Sequence, residues 1–354
     1  MKNKILVFIF IGFIFIFSLG SIFIPDKKIS YSERRKLKEF PEFEFSGEYI
    51  SDVDGYLLDH FIFRDLFRSI KAKFNYSVLN KLDNNDIYLK DDYIFKSNYP
   101  TNKESISSFM EKINKLEGLL TKDNKKFIMI IPDKNYYLKS DDFLGIDYEY
   151  IYKEMNKLGL KNINITDKLS LDSYYETDTH WKQDKLNDVV LEMDRVMDFN
   201  YYDVSYKKNI YNKFYGVYYG ESAINRNPEK LVYLTNDLFD DVEVNYFENG
   251  NLKTIYNTSK LDGMDAYDVY LDGASSFITI SNPNSSSSKE LVIFRDSFGS
   301  SISPLLVPYY NKITIIDNRY ITSDNFTNLI EFTNQDVLFM YSTLLVNDSK
   351  SLKG

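Results

Sequence analysis

Five short apolar runs rich in β-branched residues constrain this chain more than any other feature. They are KFIMIIP (126–132), FITI (277–280), LVIF (291–294), KITII (312–316) and DVLFMY (336–341). Runs this short and this continuously apolar suit strands buried on both faces, as in a parallel sheet. Helical patterns separate several of them, over 183–197, 298–309 and 325–332. Strand and helix in alternation predict an α/β domain of three layers around a mostly parallel sheet. Upstream, apolar residues recur at helical spacing from Tyr49 to Phe74, and DIYLKDDYIF (86–95) reads as a hairpin turning at Asp91 and Asp92. Thr101 with Glu104 makes a capping-box pattern before a helix running to about residue 120. Between 201 and 256 the pattern changes to aromatic-rich alternation with turns, which predicts a β-rich insertion at about 201–260.

The N-terminus bears on compartment. Residues 5–24, ILVFIFIGFIFIFSLGSIFI, contain no charge, and about 20 apolar residues suffice for a helix to cross a bilayer. Lys2 and Lys4 precede the run, an arrangement that keeps the N-terminus inside and sends the remainder out. Ser18 and Gly20 offer cleavage positions for a signal peptide, but the apolar run continues past them to Ile24. The expectation is an uncleaved anchor at 1–25, a charged linker at 26–47 and an exported α/β domain at 48–354. The main domain then lies outside the cell, tethered by one transmembrane helix.

Composition removes several function classes. Lys and Arg number 43 against 52 Asp and Glu, a net charge of −9 that argues against nucleic-acid binding. With no cysteine there are no disulfides, thiolate nucleophiles or cysteine-ligated metals, and with only His60 and His180 there is no multi-histidine metal site. Glycine-rich phosphate loops are absent as well.

Two segments carry candidate chemistry. In ELVIFRDSFGSSISPLL (290–306) a buried strand ends, a serine sits on the turn beside a glycine, and a helix begins. That junction can expose Ser297 Oγ at the carboxyl edge of a sheet, beside the free N–H groups of a helix start. The plainer reading is that Asp296 or Ser297 caps the helix. In TDTHW (177–181), Asp178 and His180 are two positions apart, so in an extended loop both side chains leave the same side of the backbone. Such a carboxylate can fix the imidazole tautomer and support the imidazolium. Trp181, the only tryptophan, adjoins this pair. PDKNYYL (132–138) follows a strand end, which makes Asp133, Lys134 and Asn135 candidates for a substrate or oxyanion contact, the plain reading being a turn. FYGVYYGES (214–222) places Tyr215 among aromatics of the kind that stack on sugar rings. His60, in LLDHFIFRD, reads as structural.

The order of these motifs resembles the DHHW protein family, a bacterial group related to the alginate O-acetyltransferase and SGNH-hydrolase-like proteins. The resemblance rests on SERRKLKEFP (32–41), DHFIFRD (59–65), NNDIYLKDDYIF (84–95), IIPDKNYYL (130–138), TDTHW, and RDSFGSSISPLLVPYYNKITIIDNRY (295–320). Thr179 stands where the name-giving motif has histidine, between the two residues proposed to act. The resemblance implies an SGNH-hydrolase-like fold with Ser297 as nucleophile, His180 as general base and Asp178 as its orienting carboxylate. Lys134, Asn135, Trp181 and Tyr215 are then candidates for substrate contact.

The function expected is O-acetyl transfer to a cell-surface polysaccharide in the cell envelope, with a membrane-bound O-acyltransferase as acetyl supplier. No metal or organic cofactor is required for that chemistry. An acetyl esterase using the same triad, or a non-catalytic polysaccharide-binding protein, are the alternatives.

Overall fold

In the computed structural model, residues 2–23, 25–30, 32–138 and 143–353 are described, with backbone alone at 2, 3, 13, 14, 18, 19 and 21–23. The chain forms two compact units, residues 1–88 with 217–227, and residues 89–216 with 228–354.

The first unit is helical. Lys2–Phe23 is a helix of 22 residues. The expected membrane anchor falls partly outside the described residues, at Ile24 and at the side chains named above, and among the described residues no helix is long and apolar enough to cross a membrane. Two-residue strands, Ile29–Ser30 and Arg35–Lys36, pair antiparallel within the segment expected as linker. The helical pattern beyond it divides into Gly47–Asp59 and Arg64–Ser77. Ser46 Oγ caps the first by accepting the Tyr49 N–H at 3.1 Å, and Phe63, at φ 59°, breaks the chain before the second. Arg35 grips Asp59 with both terminal nitrogens, while Glu33 pairs with Arg64 at 2.6 Å. His60 Nε2 lies 2.9 Å from the Lys38 carbonyl oxygen and its ring 4.5 Å from that of Tyr56. Its surroundings are those of a structural histidine.

The second unit is built on seven strands: β1 Lys125–Ile131, β2 Lys161–Asn162, β3 Glu243–Tyr246, β4 Phe277–Ser281, β5 Glu290–Arg295, β6 Lys312–Ile316 and β7 Asp336–Ser342. Their order across the sheet is β3-β4-β6-β5-β7-β1-β2. β6, β5, β7, β1 and β2 run parallel, and β4 and β3 are added antiparallel at one edge. FITI was expected as a parallel strand and is antiparallel. Continuous apolarity reports burial on both faces, which does not specify direction.

Alternate residues of each central strand enter different cores. Phe127, Met129, Ile131, Leu291 and Ile293 face one, where the helices Asn187–Met197 and Gly299–Leu306 pack. Ile128, Ile130, Val292 and Phe294 face the other, covered by Lys103–Glu117 and Tyr148–Met155. This is the period-2 pleat of a strand sandwiched between helices, and each such side chain contributes about 1.5–3 kcal/mol by leaving water. The helix expected from Thr101 starts instead from Asn102, whose Oδ1 accepts the Ser105 N–H, while Thr101 Oγ1 takes the Asp147 N–H. The helix expected over 325–332 is the single turn Ser323–Phe326, and Phe326, Ile330 and Phe332 reach the core from this turn and the irregular chain after it. The β-rich insertion is an antiparallel ribbon of Lys207–Phe214 with Glu229–Thr235, and Glu243–Tyr246 joins the main sheet instead.

This topology locates the site. The segment after β5 packs on the first core through Ile302 and Leu306. The segment after β7 packs on the second through Leu345 and Val346. Neighbouring parallel strands whose continuations diverge to opposite faces leave a crevice at their carboxyl ends.

Candidate active site

Ser297 follows β5 at that crevice. Asp296, buried, spans the gap: its Oδ2 accepts the Ser342 N–H at the end of β7 at 2.7 Å, and its Oδ1 accepts the Phe298 N–H at 3.0 Å. Asp296 thus ties the turn before the helix, which starts from Phe298 with no side-chain cap from either Asp296 or Ser297. Gly299 allows the turn to close, since a Cβ there would lie 2.7 Å from Arg295 Cβ. Arg295, wholly buried, is anchored by Asp317 at 3.2 Å. From 291 to 300 only Ser297 keeps appreciable exposure.

Asp178 and His180 arrive on another loop of the same unit. The loop is closed by an antiparallel bridge between Tyr174 and Trp181. It is bent at 176–180, not extended as the two-residue spacing suggested. Asp178 and His180 meet because Asp178 Oδ1 accepts the His180 backbone N–H at 3.0 Å, an Asx turn, and lies 2.6 Å from His180 Nδ1. An ionised carboxylate only accepts, so this contact assigns the proton to Nδ1 and leaves Nε2 as an acceptor. Nε2 lies 2.8 Å from Ser297 Oγ. Asp178 is 1% exposed and His180 8%, so the pair is shielded from water while Ser297 stays within reach.

Aromatic rings hold the imidazole in place. Tyr267 stacks on it with centroids 3.9 Å apart and planes 7° from parallel, and Phe298 lies against it at 5.0 Å. Tyr267 OH and Trp181 Nε1 both reach Ser301 Oγ, at 2.8 and 2.9 Å. Burial drives the Tyr267 phenol well above its usual range, so the hydroxyl stays protonated. Sequence reasoning missed Tyr267. It lies in a single 3₁₀ turn, Ala266–Val269, with no motif, and only the fold brings it beside His180.

The residues expected to touch substrate divide. Trp181 is fully buried, its Nε1 also donating to the Phe298 carbonyl oxygen at 3.1 Å. It therefore braces the turn that carries Ser297 and offers no face to a sugar. Lys134 is 2% exposed and its Nζ is turned to backbone carbonyls of the Asp178 loop, which removes it from substrate contact. Asn135 is half-buried, its side-chain amide donating to the Lys96 carbonyl oxygen at 2.8 Å. Tyr215 is 37% exposed and remains available to solvent. Beside it, Gly216 N–H donates to Thr177 Oγ1 at 2.8 Å. Among the described residues no group of three or more His, Asp or Glu could hold a metal ion.

No family model matches the sequence, and neither does any curated protein. Solved structures do. A DHHW family protein from Eubacterium siraeum superposes with a TM-score of 0.65 at 17% identity, covering 77% of this chain and 97% of that one. Bacillus cereus PatB1 carrying a sulfonyl adduct gives 0.58 at 20% identity, covering 73% of this chain and 97% of that one. A weaker likeness, TM-score 0.43 at 11% identity, is to the O-acetyltransferase domain of Pseudomonas putida AlgJ, covering 74% of this chain and 92% of that one. At these identities the likeness is one of architecture: this chain is built on the same fold as a DHHW family protein and Bacillus cereus PatB1.

Proposed function

We propose that this protein is an exported serine O-acetyltransferase that acts on a cell-surface polysaccharide. The observation that carries the reading is the continuous line from Asp178 Oδ1 through the imidazole to Ser297 Oγ, 2.6 and 2.8 Å at its two contacts. Along that line Ser297 Oγ attacks the acetyl carbonyl carbon as its proton passes to His180 Nε2. The leaving group departs with that proton, and acetyl-serine remains. A sugar hydroxyl then gives its proton to Nε2 and attacks the ester carbonyl, the bond to Ser297 Oγ breaks, Nε2 returns the proton to Oγ, and the acetyl group leaves on the sugar oxygen. The Ser297 backbone N–H, for which no hydrogen bond is seen among the described residues, is the donor we assign to the developing oxyanion. The sulfonyl adduct on PatB1 supports the reading, because such an adduct forms on an activated nucleophile. Tyr215 offers an exposed aromatic face for a sugar ring.

In this reading the uncharged run at residues 5–24 is the membrane anchor, matching the about 20 apolar residues that a span requires. Its apolar side chains from Ile5 to Ile11 are all more than half exposed, which supports burial in lipid. A membrane-bound O-acyltransferase as donor of the acetyl group completes the proposal.

The test is to give the full chain an acetyl ester with and without an oligosaccharide acceptor. Transfer to the acceptor, abolished in Ser297→Ala, is expected. Acetate release indifferent to acceptor would convert the reading to an esterase, and no acetyl-serine at all would leave a binding protein.

A further inference from the structure

Residues 175–178, which deliver Asp178 and His180, belong to no sheet or helix, so their backbone groups need partners from elsewhere. Three carbonyls of this stretch converge on one atom. Lys134 Nζ donates to the carbonyl oxygens of Tyr175 at 3.1 Å, Glu176 at 3.1 Å and Asp178 at 2.7 Å. An ammonium has three N–H donors and no acceptor, so three carbonyls match the charged form. The N–H groups of the same stretch converge on a second charge. Glu229 accepts from the Glu176 N–H at 2.6 Å, the Thr177 N–H at 2.7 Å and the Thr177 hydroxyl at 2.5 Å.

Neutral side chains could satisfy these groups at lower cost, because a charge taken out of water is expensive even when paired. The two charges are also placed by the scaffold itself. Lys134 begins the turn that follows β1, with Asp133 capping that turn, and Glu229 begins the second ribbon strand. Carboxylates of Asp178, Glu229, Asp133 and Glu176 surround the ammonium electrostatically. The rings of Tyr93 and Phe95 lie 5.9 and 5.4 Å from Nζ.

We propose that Lys134 and Glu229 are positioning residues for the Asp178–His180 relay, a cation and an anion that grip opposite polarities of one loop so that Nε2 stays in register with Ser297. This rests on the relay acting as proposed above. Lys134 must carry its proton to do this, since a neutral amine has two donors and turns a lone pair to the third carbonyl. Burial pushes the ammonium down to about 7, which places that loss within an accessible pH range.

The test uses the full chain in detergent and the rate at which phenylmethylsulfonyl fluoride labels Ser297, read by peptide mass, so no natural substrate is needed. Lys134→Met is expected to lower the labelling rate about 10- to 100-fold and Glu229→Gln about tenfold, by analogy with the loss of partners that orient metal-binding side chains. Lys134→Arg keeps the charge and should recover part of the rate while moving the alkaline fall of labelling to higher pH. A folded Lys134→Met protein labelled at the wild-type rate would overturn the proposal. So would a Lys134→Arg profile with an unmoved alkaline limb, which decides the matter if Lys134→Met does not fold. Wild-type chain that never labels at Ser297 would instead sink the relay itself.

Discussion

His180 Nε2 and Ser297 Oγ stand 2.8 Å apart across 117 positions of chain. The contact joins a loop bent by an Asx turn to the carboxyl end of the central strand β5. Its precision depends on how firmly each loop is held, and the surrounding residues make separate predictions about that.

Asp178→Asn tests the carboxylate apart from the turn. Asparagine keeps an oxygen for the His180 N–H, so the loop conformation and melting temperature should change little. The neutral amide no longer fixes the Nδ1–H tautomer or supports the imidazolium, and turnover should fall roughly 10³- to 10⁴-fold. A loss under tenfold in acetyl transfer would remove Asp178 from the relay.

Tyr267 separates stacking from hydrogen bonding. Tyr267→Phe keeps the ring on the imidazole and loses only the bond to Ser301, and turnover should stay within about tenfold of wild type, a change of roughly 1 kcal/mol. Tyr267→Ala opens a cavity beside His180. It should cost about 3–5 kcal/mol of stability and release the imidazole to other rotamers. Urea unfolding and sulfonyl labelling of the two variants would show whether they differ as expected.

Gly216→Ala places a Cβ 2.2 Å from the Thr177 carbonyl carbon and oxygen. The backbone must shift, and the loop carrying Asp178 shifts with it. Labelling of Ser297 should slow by at least about tenfold, as a displacement near 1 Å can do, with a lowered melting temperature. An unchanged rate would mean that the loop tolerates displacement.

Lys134 gives stability and activity opposite pH trends. Burial holds its folded value down to about 7, against 10.5 for the free side chain. Between those values the unfolded chain carries a proton that the folded chain lacks, so stability rises with pH in this window, by roughly a few kcal/mol at most. Labelling of Ser297 should fall over the same range. Urea midpoints at pH 7, 8 and 9 should climb in wild type relative to Lys134→Met, and parallel curves would contradict the sign.

Much of the sheet was legible because burial leaves a local mark. β1, β5, β6 and β7 are runs of Ile, Val, Leu, Met and Phe that no other environment suits as well. The direction of β4 was not, because a run of three apolar residues and a threonine looks the same in either sense. The membership of 217–227 in the unit formed by residues 1–88 likewise leaves no local trace.

At the site the division is similar. Local chemistry marked Ser297, His180 and Asp178 only as candidates, since a serine at a strand end and a carboxylate two positions from a rare histidine are readable in place, and it was the family resemblance that gave them roles. The meaning of Lys134 and Trp181 was decided only by the tertiary structure. A lysine beside a strand end is a substrate ligand if exposed and a loop clamp if buried. Burial is a property of packing between distant segments, which no stretch of sequence contains by itself.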